Sequence, residues 1–146
     1  MVDEDFIKKL IKDRENLTLD LKLKITSKQK IAKTISAFAN TEGGKILIGV
    51  SDDGKLVGID IEEEKYMINS ANEEFCNPQA VIDFKEFTVW IDKKNQTEEN
   101  EINLLLAIIK KSKPIKIFVK ESGKTEAYFR KKDQTLAGSN PLLQGE

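Results

Sequence analysis

The chain has 146 residues, 34% of them charged, and its 24 Lys and Arg stand against 25 Asp and Glu for a net charge of −1. One cysteine and no histidine exclude a disulfide framework, histidine-dependent nucleophilic triads, two-histidine ribonuclease chemistry and a conventional structural zinc site. The length suits one domain, no apolar run nears the roughly 20 residues that span a bilayer, and the acidic start Met1-Val2-Asp3-Glu4-Asp5 is no secretory signal. A cytoplasmic protein with a reduced Cys76 is therefore expected. Any catalysis would rest on carboxylates, lysines and arginines, with Mg²⁺ or Mn²⁺ where a metal takes part.

In chain order, Asp3 to Asp13 carries Phe6, Ile7, Leu10 and Ile11 on one side and acids in its first turn, the pattern of an amphipathic helix. Leu17, Leu19, Leu21 and Leu23 then alternate with Thr18, Asp20, Lys22 and Lys24, which predicts a strand with one wet face. Thr26 and Gln29 form a plausible capping box for a helix whose apolar side holds Ile31, Ile35 and Phe38 and which stops near Asn40, ahead of Gly43-Gly44. Lys45 to Val50 reads as a short strand covered on both faces, Ser51-Asp52-Asp53-Gly54 as a hairpin turn and Lys55 to Ile59 as its partner strand.

Ile61 to Phe75 is predicted as a second long helix, acidic at its start through Glu62, Glu63 and Glu64 and ended by Asn77-Pro78. Val81 to Asp92 and Glu101 to Lys111 flank a polar connector; Ile102 to Ile109 taken alone also fits a helix, and the connector favours an antiparallel hairpin. After Pro114 come a strand over Ile115 to Lys120, a turn at Glu121 to Lys124 and a last strand at Ala127 to Arg130. A loose Gly/Ser/Asn/Pro-rich tail over 137–146 is expected to follow a single domain over 1–136.

Charge is unevenly spread along the chain. Lys110 to Lys132 holds nine Lys/Arg against two acids, whereas Asp52 to Glu101 holds fourteen acids against five lysines. Such segregation can set a basic face on a neutral protein. Lys116, Lys120, Lys124, Arg130, Lys131 and Lys132 are the candidates for phosphate contacts, with Tyr128 as a candidate base-stacking ring.

The stretch AFANTEGGKILIGVSDDGKLVGI closely resembles the core signature of the Schlafen/AlbA-type DNA-binding domain family, found in bacterial regulators and in the nuclease core of vertebrate Schlafen proteins. The resemblance implies a carboxylate cluster of Glu15, Asp20 and Asp52 (or its neighbour Asp53) that binds Mg²⁺ or Mn²⁺, with Lys22 beside it. Here Asp20 stands where the family has glutamate, and Leu21 where it has an aromatic. Glu15 and Asp20 differ in strand parity, so they share a site only if Glu15 lies on a bend before the strand. Gly43-Gly44-Lys45 lacks the spacing of a Walker A loop and precedes a strand, so a structural turn is expected and no ATP site is supported.

The fold expected is α+β, a largely antiparallel mixed sheet with helices packed against it. The function expected is nucleic-acid binding, DNA or RNA, with a regulatory role, by a standalone domain that pairs into a homodimer away from any membrane. The alternatives are a Mg²⁺- or Mn²⁺-dependent endoribonuclease using Glu15, Asp20, Asp52 and Lys22, and a protein-interaction module with no nucleic-acid role.

Overall fold

The computed structural model describes residues 2–113 and 116–138. Its elements are α1 (Val2–Asp13), β1 (Leu19–Lys22), α2 (Lys28–Asn40), β2 (Gly44–Ile48), α3 (Ile61–Phe75), β3 (Cys76–Asn77), β4 (Ile82–Trp90), β5 (Glu101–Ile109), β6 (Ile117–Val119), β7 (Thr125–Lys131) and β8 (Gln134–Ala137), with a 3-10 turn at Glu98–Asn100. The strands form two four-stranded sheets, ordered β1-β2-β5-β4 and β3-β6-β7-β8. β1 and β2 run parallel and every other named pair is antiparallel. This is the α+β class expected, divided over two sheets.

Strand alternation explains the layering. Leu47, Leu104 and Leu106 point to one face of the first sheet and meet Ile7 and Leu10 of α1. Ile46, Ile48, Leu105, Ala107 and Ile109 point to the other and meet α2 and α3 through Ile31, Ile35, Phe38, Ile68 and Phe75. β2 is therefore covered on both faces, which is why its sequence is a continuous apolar run. Phe118 and Tyr128 from the second sheet close on the same core. α2 thus lies between the two sheets, and from Ile31 to Asn40 only Lys33 escapes burial. Each large aliphatic or aromatic side chain so enclosed contributes about 1.5–3 kcal/mol relative to exposure.

Helix starts follow local chemistry. Ser27, one residue after the expected Thr26, caps α2 by accepting from the Lys30 N–H at 3.2 Å. Asp60 caps α3 by accepting from the Glu63 N–H at 3.1 Å. Glu64 does more than complement the helix dipole: it is 1% exposed and accepts from the Ile25 N–H at 2.8 Å.

Three expectations change. β1 is shorter than the leucine alternation suggests, and its wet and dry faces are mixed: Asp20 is 4% exposed while Leu23 is 46% exposed. The Asn16 carbonyl and N–H pair with Leu19, so a tight turn occupies the first part of the expected strand. Lys55 to Ile59 forms no strand. It makes a single bridge between Val50 and Leu56, then satisfies its backbone through Gly49 O (from Val57 and Gly58) and Asn103 O (from Ile59). Finally, a strand that was not expected, β8, follows β7 and pairs with it. The expected tail lies, from residue 139 on, outside the described residues, as do Pro114 and Ile115. Among the described residues no helix is long and apolar enough to cross a membrane.

Candidate nucleic-acid interface

The signature residues at the end of α2 are structural. The Gly43 N–H donates to Phe38 O at 2.7 Å and the Lys45 N–H to Thr18 O at 2.8 Å. Both amides are hydrogen-bonded inside the fold. Asn40 and Thr41 reach the second sheet: Asn40 pairs with the backbone of Lys116 and Tyr128, and Thr41 Oγ1 accepts from the Arg130 N–H at 2.9 Å.

The expected carboxylate cluster forms in part. α1 ends at Asp13, Arg14 takes φ 60°, and Asn16 binds the Arg14 carbonyl and the Thr18 N–H. That bend resolves the parity conflict and sets Glu15 beside Asp20. The hydrogen bond to Asp20, then burial, then Asp20's negative charge push the Glu15 carboxyl up to about 7 against an ordinary 4.5, while the Leu21 N–H and Lys22 oppose the rise. Lys22 Nζ stands 3.5 Å from Asp20 Oδ2. Asp52 is exposed and shares with Glu15, Lys12, Arg14 and Asp53 a cleft of about 340 Å³. Asp53 accepts from Ser51 Oγ and lies 3.6 Å from Lys55 Nζ, so it serves the turn.

Among the described residues no three of His, Cys, Asp and Glu come together as a metal-holding group. The donor set does not fit a divalent ion bound by Glu15, Asp20 and Asp52. Lys22 already faces Asp20, and Asp52 lines the same cleft as Glu15 without completing a three-acid group.

The Glu15–Asp20 contact has a consequence for stability. The folded state holds the Glu15 proton more tightly than the unfolded chain. The stabilisation is therefore fully present below about pH 4.5 and is lost as pH rises through about 7. No histidine obscures that window. Urea midpoints measured from pH 4.5 to 7.5 should fall for the wild type relative to Glu15→Gln, and parallel curves for the two proteins would show that the fold does not hold the Glu15 proton.

The six cations expected to hold phosphates separate into different environments. Arg130 is 2% exposed: Nη2 donates to Asn16 O at 2.7 Å, Nη1 to Thr135 Oγ1 at 3.2 Å, and the guanidinium lies 4.5 Å from the centre of the Phe38 ring. Burial lowers its pKa, opposed by Asp20, Asp133 and Glu15. Lys116 is 5% exposed, its backbone clamped by Asn40. Arg130 and Lys116 are thus interior, unlike the exposed cations expected to meet a polyanion. Tyr128 is likewise interior, buried edge-on against Phe118 at 5.7 Å. Lys120 is paired with Glu126 at 2.5 Å, whereas Lys124, Lys131 and Lys132 are exposed.

A second basic surface had a sequence signal that was overlooked. Leu21 to Thr41 carries five lysines and no acid. The bend after β1 and the start of α2 bring Lys22, Lys24 and Lys30 around a pocket of about 250 Å³, walled by Ile25, Thr26, Ser27, Ile31 and Thr34. Among the described residues no carboxylate pairs with Lys24 or Lys30. Apart from the Lys30 N–H, which already donates to Ser27 Oγ, the first N–H groups of α2 lack intrahelical partners and favour an anion at this end. An alternating strand and a helix start each hide this convergence when they are read separately.

A family model described as Schlafen, AlbA_2 matches residues 15–138. Among solved structures, the chain is similar to the DIP2311 protein from Corynebacterium diphtheriae at 15% identity and a TM-score of 0.50. That likeness covers 84% of this chain but only 22% of the other, and it bears on the fold alone. No curated protein matches the chain.

Proposed function

The chain belongs to the Schlafen/AlbA_2 family, a family of nucleic-acid-related domains, and from that premise we propose that it is a nucleic-acid-binding module whose main phosphate contacts are Lys22, Lys24 and Lys30. The observation that carries this reading is the acid-free run from Leu21 to Thr41 folded around one pocket. Lysine ammonium groups and hydroxyls suit a phosphodiester, and they fix its place without reading sequence. Lys124, Lys131 and Lys132 extend the attraction as exposed charges. A homodimer would double this surface and raise avidity without any new type of contact. A regulatory role follows if the bound site controls a gene or transcript.

Binding to a labelled oligonucleotide, followed by anisotropy from low to high salt, tests the reading. The log–log slope should be about −0.7 to −0.9 per phosphate contact, and Lys24→Ala and Lys30→Ala should each reduce it by about one contact's worth. Absence of binding at low salt would defeat the proposal. So would binding that both variants leave untouched.

The endoribonuclease reading draws on the Glu15–Asp20 contact alone. The arrangement described above, with Lys22 facing Asp20 and no three-acid group among the described residues, favours a charge-balanced support under β1 over a metal-bound reaction centre. Mn²⁺-dependent cleavage of structured RNA that disappears in Asp20→Ala would reverse that order.

A further inference from the structure

The lysine pocket does not end at its own rim. Lys24 and Ile25 also wall a second, more apolar hollow of about 460 Å³, completed by Glu62, Glu63, Glu64, Tyr66 and Met67 at the start of α3. Tyr66 is 63% exposed, a large aromatic ring left in water, with the Lys28 ammonium 5.3 Å from its centre. Lys28 is itself held by Glu74 at 3.0 Å, so it spans from α2 to α3 beside the ring. The wall common to both hollows is fixed in place, because Glu64 accepts from the Ile25 N–H at 2.8 Å.

We propose that the two hollows together seat one nucleotide unit of single-stranded nucleic acid, its phosphate among Lys22, Lys24 and Lys30 and its base against Tyr66 and Met67. The inference rests on the nucleic-acid reading above and adds the strand state and the base contact. Charge sets the orientation. Glu62 and Glu63 repel a phosphate from the apolar hollow and can accept hydrogens from a base amino group, while the acid-free pocket next door attracts the phosphate. An exposed ring offers a stacking surface that any base can use. In a duplex the bases are already stacked and paired, so their faces are closed to a ring on a helix surface.

Anisotropy with a labelled single strand of mixed sequence, and with the same strand annealed to its complement, tests the proposal at one fixed salt concentration. The single strand should bind more tightly. Tyr66→Ala should weaken single-strand binding by about fivefold or more while leaving the duplex affinity and the salt slope unchanged, and Tyr66→Phe should retain the wild-type affinity. Tyr66 is exposed, so the variant folds, and a circular dichroism melt checks this. If Tyr66→Ala binds the single strand as the wild type does, or if the duplex is preferred, the base seat is overturned and phosphate binding by the lysines stands. Failure of the wild type to bind either strand overturns both readings.

Discussion

Asn40→Ala is expected to cost about 4 kcal/mol in a urea titration, with an unchanged denaturant slope. The Asn40 amide Nδ2 donates to Lys116 O at 2.9 Å and Tyr128 O at 3.0 Å, and Oδ1 accepts from the Lys116 N–H at 2.6 Å. Asn40 is 6% exposed, so no water takes over these bonds without rearrangement. Truncation leaves one N–H and two carbonyls unpaired in the interior, at about 1–3 kcal/mol each, offset by relaxation. Asn40→Asp is the sharper comparison. It is nearly isosteric and keeps an acceptor for Lys116, yet it turns a carboxylate oxygen towards two carbonyls, so it should be no more stable than the alanine variant. A loss below about 1 kcal/mol in Asn40→Ala would mean that the second sheet holds without this clamp.

Gly44→Ala should cost about 3 kcal/mol or more. A methyl group at Gly44 would overlap three atoms of the Phe38 ring. The ring is fully buried and has the Arg130 guanidinium 4.5 Å from its centre, so it has little room to move away. Phe38→Leu alone should also destabilise, by leaving a gap. Combining the two should cost clearly less than their sum, because the smaller side chain makes room for the added methyl. Additive losses in the double variant would show that the clash is not with Phe38.

These two positions explain why the stretch AFANTEGG was legible. Phe38, Asn40 and Gly44 each occupy a place that the sequence displays locally: an apolar helix side, a helix end, a turn; the clamp that Asn40 makes to the second sheet was not legible. The same holds for β2 and the β4–β5 hairpin, whose apolar runs and polar connector need no distant partner to be read. The burial of Arg130 and Lys116 was not legible because their partners are far along the chain. The Arg130 guanidinium meets Asn16 O, 114 residues away, and the Lys116 backbone meets Asn40, 76 residues away. Counting charge along a segment treats every cation as solvated and cannot register such closures. Asp20 was misjudged for the same reason, since its burial depends on the bend that brings Glu15 alongside. The lysine pocket was missed although its residues lie close in sequence, because it joins the end of one element to the start of another.

The position of α2 between two separate sheets carries a last consequence. Among the described residues no ladder of backbone hydrogen bonds joins β1-β2-β5-β4 to β3-β6-β7-β8; the helix and its core neighbours do the joining. Cohesion between the halves of the molecule is therefore carried by side chains, and loosening that helix would release both halves together. The lysines at its first turn stand at the near end of the same rod whose far end grips β7 through Asn40 and Thr41. A load applied where an anion would rest is thus borne along the helix by both sheets at once.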